Sequence, residues 1–120
     1  MGVYSGIAYD NVRALALRAD NVSRGVPATK TASFTLANHE SYIICNGAGA
    51  ITVTLPAASL WPGREVMLRN IAAQAVNSAS SNVVPLTGGA AGTTILSANA
   101  GRFVTLVSDG TNWIAMSGVI

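Results

Sequence analysis

The C-terminal stretch Phe103-Val-Thr-Leu-Val-Ser-Asp-Gly-Thr-Asn-Trp-Ile-Ala-Met-Ser-Gly-Val-Ile120 carries the strongest strand signal in the chain. Its first six residues alternate with the two-residue period of a half-buried strand. Asp109-Gly110 is a typical turn dipeptide, and Trp113 begins a second strand-like run. The stretch therefore predicts a β-hairpin, and nothing in it resembles an enzyme signature.

Upstream of this hairpin, the chain from residue 31 onward consists of short strand-like runs separated by turn residues. In the run 51–55, Ile51, Val53 and Leu55 are predicted to face a core, while Thr52 and Thr54 face outward. The predicted strands are residues 34–36, 42–45, 51–55, 65–70, 82–85, 93–96, 103–108 and 113–120. About eight short strands at spacings of about ten residues are typical of a small antiparallel β-sandwich or barrel.

The predicted core is small. Half of the 120 residues are apolar, but twenty of them are alanine, and only a tenth are charged. We expect burial of Val53, Leu55, Val66, Leu68, Val104 and Leu106. The single cysteine, Cys45, cannot form an intrachain disulfide and is expected to be a small buried hydrophobic residue. Because such a core is marginal in one copy, the composition favours a homo-oligomer with wide uncharged surfaces that contact other protein.

Residues 1–30 differ in character and are predicted to form an arm or tether, with the β-domain at 31–120. Asp10 is a possible N-cap, and Val12, Leu15, Ala16 and Ala19 share one helical face. The same residues also fit the alternation of a strand, so this segment has two interpretations, a short helix or a strand. Residues 23–27, Ser-Arg-Gly-Val-Pro, break this element and form a hinge.

The arm carries the net charge of +2, because the remaining ninety residues balance three arginines against three acidic residues. An excess this small, without any Lys/Arg run, argues against nucleic acid and favours an acidic protein partner. Apolar contacts are expected to contribute more to docking than exposed charge pairs. The predicted docking residues are Val12, Arg13, Leu15, Leu17, Arg18 and Arg24.

We find no signal peptide and no membrane-spanning segment in the sequence. The N-terminus lacks the charged-then-apolar order of a signal peptide, and no apolar run approaches the ~20 residues of a membrane-spanning helix. We therefore expect a protein that is assembled in a cytoplasm and does not use a membrane.

Candidate chemistry is sparse. The one histidine, His39, precedes Glu40, but HExxH and metal-ligand spacings are absent, and the pair is interpreted as a polar turn. Three copies of His39 around a symmetry axis could still meet at an ion. The glycine-rich run 88–92 lacks the lysine of a phosphate-binding loop, and no carboxylate pair suggests glycoside hydrolysis. We expect no enzymatic activity, no cofactor and no metal.

The two tryptophans have two interpretations. The favoured interpretation is that each caps a small core that has few other large residues, most strongly Trp113 because it begins a strand. An exposed tryptophan could instead stack on a sugar. Trp61 is therefore the candidate for exposed recognition.

Three motifs in order resemble a known group of modules: Ile51-Thr-Val-Thr-Leu-Pro-Ala-Ala58, Pro62-Gly-Arg-Glu-Val-Met-Leu-Arg-Asn70 and the C-terminal hairpin with its Ser-Asp-Gly-Thr-Asn-Trp113 turn. Residues 31–120 resemble β-modules of tailed-bacteriophage virion proteins: head-decoration proteins, head fibres and tail-fibre tips. The resemblance implies a homotrimer without catalytic residues. It leaves head and tail locations open.

Three functions are compatible with these expectations. The first is a trimeric decoration (cement) protein that binds and stabilises the major capsid protein shell, favoured because 120 residues do not accommodate the long shaft of a tail fibre. The second is a tail-fibre tip or head fibre that binds a host surface receptor such as a glycan. The third is a carbohydrate-binding module. The first and the second function both place the protein in the virion.

Overall fold

The structure, a computed structural model, describes residues 23–120, which form ten strands and one 3-10 turn, Ala58–Leu60. The strands are β1 (Ala28–Lys30), β2 (Phe34–Thr35), β3 (Tyr42–Cys45), β4 (Ile51–Thr54), β5 (Glu65–Asn70), β6 (Val76–Ser78), β7 (Val83–Val84), β8 (Thr94–Leu96), β9 (Phe103–Ser108) and β10 (Trp113–Val119). The all-β prediction is confirmed. The described part has ten strands rather than about eight, because the sequence patterns missed β1 and β6.

The strands form two sheets around one core. The six-stranded sheet has the order β1-β3-β5-β9-β10-β7, and the four-stranded sheet has the order β2-β4-β6-β8. One hydrophobic cluster contains side chains from both sheets, which therefore enclose it. From β1 to β9 successive strands alternate between the two sheets.

The predicted antiparallel arrangement is wrong, because both sheets are mixed. Five of the eight strand pairings are parallel: β1 with β3, β3 with β5, β2 with β4, β4 with β6, and β7 with β10. A parallel pair needs a long connection. Here the connection between two neighbours of one sheet contains a strand of the other sheet, so the chain returns to each sheet in the same direction. Antiparallel pairing joins β9 to β5 and to β10, and β8 to β6.

The predicted core residues are all buried. Val53, Val66, Leu68, Val104 and Leu106 are completely inaccessible, and Leu55 and Cys45 are buried as well. Trp113 is also buried, and its indole Nε1 donates a hydrogen bond to the carbonyl oxygen of Pro56 at 2.9 Å. The interpretation of Trp113 as a core residue is therefore confirmed.

The predicted C-terminal hairpin is also present. A carboxylate oxygen of Asp109 accepts hydrogen bonds from the backbone N–H groups of Thr111 (2.8 Å) and Asn112 (2.7 Å), which fixes the turn. Within the hairpin, β10 approaches β9 so closely at Gly118 that a Cβ atom there would overlap the carbonyl oxygen of Phe103. The hairpin is thus a tightly packed part of the six-stranded sheet.

The predicted helix at 10–20 and the docking residues Val12, Arg13, Leu15, Leu17 and Arg18 lie outside the described residues. The sheet itself begins at Ala28, three residues before the predicted start of the β-domain, because β1 pairs with β3.

Candidate functional site

His39 lies exposed in the turn between β2 and β3, and it does not pair with Glu40. The carboxylate of Glu40 is buried and points elsewhere: one oxygen accepts from the backbone N–H of Ala37 at 2.8 Å, and the other is 2.8 Å from Nζ of Lys30. The expected polar turn is present, but its two adjacent side chains lie in different environments: His39 is exposed and Glu40 is buried. Nowhere in residues 23–120 do three or more His, Cys, Asp or Glu side chains come together as a potential metal site.

Glu40 belongs to a polar cluster that sequence reasoning missed. The guanidinium of the buried Arg64 donates from Nη2 to the carbonyl oxygens of Ala37 (2.7 Å) and Glu40 (2.9 Å). Together with the Lys30–Glu40 ion pair, these bonds join β1, the β2–β3 turn and the residue before β5. No spacing rule connects residues 30, 40 and 64, so only the fold reveals this cluster.

Burial alone would raise the pKa of the Glu40 carboxyl, but the hydrogen bonds from Lys30 and Ala37 outweigh it and lower the pKa. Because the folded pKa is below the unfolded one, Glu40 stabilises the fold above its unfolded pKa of about 4.3, and this contribution is lost as the pH falls through the lower, folded value. We expect Glu40→Gln to lower the free energy of unfolding at pH 7 by about 1–3 kcal/mol. Denaturant titrations at pH 7 and at acidic pH would show the difference from the parent shrinking on acidification.

Glu65→Gln provides the matched control for this experiment. In the parent, the carboxylate of Glu65 forms an exposed ion pair with Arg24 at 2.6 Å. Exposed ion pairs contribute little to stability. A stability difference for Glu40→Gln that is the same at both pH values would contradict the assigned role of the ionised carboxylate.

Cys45 does not provide a reactive thiol. It is completely buried, and burial raises the pKa of the thiol to about 11. Because the thiolate is the nucleophilic form, Cys45 is inert near neutral pH and acts as part of the core, as expected.

Trp61 is exposed, so its favoured interpretation as a core residue is wrong, and it borders a pocket of about 260 Å³. The pocket lies between the β2–β3 turn and the start of β5, and Arg24, the one predicted docking residue in the described part, lines it through its ion pair with Glu65. The pocket is lined by Arg24, Asn38, Ser41, Trp61, Gly63, Arg64 and Glu65.

The outward faces of the two sheets differ strongly. The four-stranded sheet presents small polar residues: Thr35, Thr52, Thr54, Asn77 and Thr94. The six-stranded sheet instead presents a largely apolar surface, which we call the apolar face: Tyr42, Ile44, Met67, Phe103, Val107, Ile114 and Val119. Its charged members are Glu65 and Arg69 on β5, and its uncharged polar members are Thr29, Thr105 and Ser117.

The sequence contains an indication of the apolar face that the search for alternating strands did not use. Residues 42–45 read Tyr-Ile-Ile-Cys, an uninterrupted apolar run, whereas residues 51–54 read Ile-Thr-Val-Thr. Uninterrupted apolar runs are typical of strands that are covered on both faces. Within one chain, the described residues cover only the inner face of β3.

Comparisons with protein-family models, with curated proteins and with solved structures found no match to this chain. Among the described residues, no helix has the length and apolar character needed to cross a membrane. The assignment of function therefore rests on the fold, the two contrasting faces and the sequence motifs.

Proposed function

We propose that this chain is a structural protein that works as a homotrimer, with the apolar faces of three copies packed around a common axis. The observation that carries this proposal is the contrast between the two outward faces. On the apolar face, Met67 is 37 % exposed and Val119 is 47 % exposed. Contact with water is unfavourable for both of these apolar side chains. Contiguous apolar surfaces of this kind mark interaction sites, whereas a sheet that faces water alternates with polar residues as β4 does.

A second copy of the same chain is the occupant that fits this face. The face has no net charge: Met67 lies between Tyr42 and Thr105 in one row across the sheet, and the charged residues on either side of it along β5, Glu65 and Arg69, are of opposite sign. A strongly charged partner has no net charge to pair with there, while an apolar surface without net charge suits the association of identical copies around a closed symmetry axis. The trimeric state follows the resemblance to the phage modules.

Within this class, the proposed role is that of a tailed-bacteriophage virion protein, specifically a capsid decoration protein. The three motifs of residues 51–58, 62–70 and 103–113 support it, and they fall on β4, β5 and the β9–β10 hairpin, which build the sandwich. The function would be to bind neighbouring major capsid subunits through several weak contacts at once, which together stabilise the shell. The tail-fibre tip remains the alternative.

Copy number in purified particles tests the role. A decoration protein follows the symmetry of the shell and is present in hundreds of copies per particle, whereas a tail protein is present in a few to tens. Quantitative mass spectrometry of particles from a host that produces this chain should give the higher number. Absence of the chain from purified particles would overturn the virion assignment altogether.

A further inference from the structure

The pocket beside Trp61 has the features of a binding site that is formed before any ligand arrives. Two elements of the fold line it, the β2–β3 turn with Asn38 and Ser41, and the start of β5 with Arg64 and Glu65. Its volume of about 260 Å³ lies just below the usual range for drug-sized ligands, which begins at about 300 Å³. The pocket therefore accommodates one small ring rather than an extended molecule.

Trp61 is held in place as a flat wall of this pocket. The guanidinium of Arg64 lies over the indole, 5.1 Å from the ring centroid, and is itself fixed by the carbonyl oxygens of Ala37 and Glu40. The indole nevertheless remains 53 % exposed. An exposed aromatic ring supported by a buried cation is a preorganised stacking surface.

Three polar groups of the pocket have no hydrogen-bond partner among the described residues. Within residues 23–120, the indole N–H of Trp61, the side-chain amide of Asn38 and the hydroxyl of Ser41 make no side-chain hydrogen bond to the protein. Trp113 shows the contrast, because its indole N–H is already engaged by Pro56. The pocket thus combines donors and acceptors with an aromatic surface.

The charges at the pocket rim disfavour a simple anion. Arg24 is paired with Glu65 at 2.6 Å, and Nη2 of Arg64 already donates to two carbonyl oxygens. The Glu65 carboxylate would repel a phosphate or carboxylate ligand, but it can accept hydrogen bonds from hydroxyl groups. A neutral ring with one apolar face and several hydroxyls fits all of these groups.

We propose that the Trp61 pocket binds a single neutral pyranose residue of a glycan. The apolar face of the sugar ring stacks on the indole of Trp61, and its hydroxyl groups bond to Asn38, Ser41 and the Arg24–Glu65 pair. Binding of one sugar through a few contacts is weak, with a Kd of about 1 mM, and repetition on three chains would raise the effective affinity. This site goes beyond the proposed structural role and does not depend on it.

The test uses the two tryptophans as reporters in the full chain. Methyl glycosides of glucose, galactose and N-acetylglucosamine are each titrated to millimolar concentration, and the indole N–H signals are followed by NMR. At least one glycoside should shift the Trp61 signal in a saturable manner, while the Trp113 signal stays unchanged. If none of the three shifts Trp61 at about ten times the expected Kd of ~1 mM, the proposal is overturned.

Single substitutions test which residues form the sugar-binding site. Trp61→Ala should abolish sugar binding, and Asn38→Ala should weaken it several-fold through the loss of one hydrogen bond. The matched control is Leu60→Ala, since Leu60 is 77 % exposed next to Trp61 but does not line the pocket. Unchanged binding by Trp61→Ala, detected by the shifts of backbone amides, would contradict the site. The mass of the protein in solution is a separate readout, so failure here leaves the trimer proposal to its own test.

Discussion

Val104→Asp should unfold the β-domain at 25 °C. Val104 is completely buried at the centre of the six-stranded sheet, where it aligns with Leu68 on β5 and Gly118 on β10. Its neighbours Leu68 and Leu106 are completely buried as well, so a carboxylate at this position would lie among apolar side chains of the core. An uncompensated buried charge costs about 3–5 kcal/mol, which is comparable with the whole stability of a small domain.

Circular dichroism and thermal unfolding measure this effect. Thr52→Asp is the control, because Thr52 is exposed on the outward face of β4 and a surface substitution changes stability by about 0.5 kcal/mol or less. A Val104→Asp protein that unfolds cooperatively near the melting temperature of the parent would show that the core has been misassigned.

Met67→Glu should convert the proposed trimer into folded monomers at micromolar concentration. Met67 lies in the middle of the apolar face, between Tyr42 and Thr105, and association would place three glutamates in contact with apolar side chains. Each desolvated carboxylate costs several kcal/mol, which exceeds what a small interface can offset. In the monomer the new side chain is exposed to water, so the fold itself should remain.

The control for this variant is Thr54→Glu, which places the same charge on the outward face of the four-stranded sheet. Sedimentation velocity should give a monomer for Met67→Glu and a trimer for Thr54→Glu, and Val107→Glu should repeat the result at a second position of the apolar face. Dissociation by Thr54→Glu, with Met67→Glu and Val107→Glu still trimeric, would assign the interface to the opposite sheet.

Burial in the longer strands could be predicted from the sequence. In residues 51–55, large apolar side chains recur at every second position, and those positions are the buried ones. In β5, Val66 and Leu68 follow the same period, but Met67 between them is apolar and exposed, and Asn70 is polar and buried. The period of two is a local property of an extended chain, so it needs no knowledge of the partner strand. The C-terminal hairpin was predictable for the same reason, since its turn residues lie between its strands.

Strand direction could not be predicted in this way. Alternation gives the buried face of a strand but does not identify its neighbours, so β3 and β5 carry no local sign that they are parallel. The missed strands β1 and β6 read Ala-Thr-Lys and Val-Asn-Ser. Runs this short and polar become strands only because β3 and β4 supply their hydrogen-bond partners.

The candidate site was predictable only in part. An exposed Trp61 was a reasonable candidate for recognition from the sequence, but its companions Asn38 and Ser41 lie twenty or more residues upstream. Their proximity arises because the β2–β3 turn packs against Arg64, through hydrogen bonds that no motif encodes. The phage-module resemblance, the trimer and the virion location stay predictions.

The mass of the full chain in solution tests the central claim most directly. Light scattering coupled to size-exclusion chromatography, at micromolar protein concentration, should give about 37 kDa, three times the 12.2 kDa mass of the chain. A folded protein of 12.2 kDa under the same conditions would contradict the account. The apolar face would then be covered by something other than a second copy, and the proposed trimeric decoration protein would have to be abandoned.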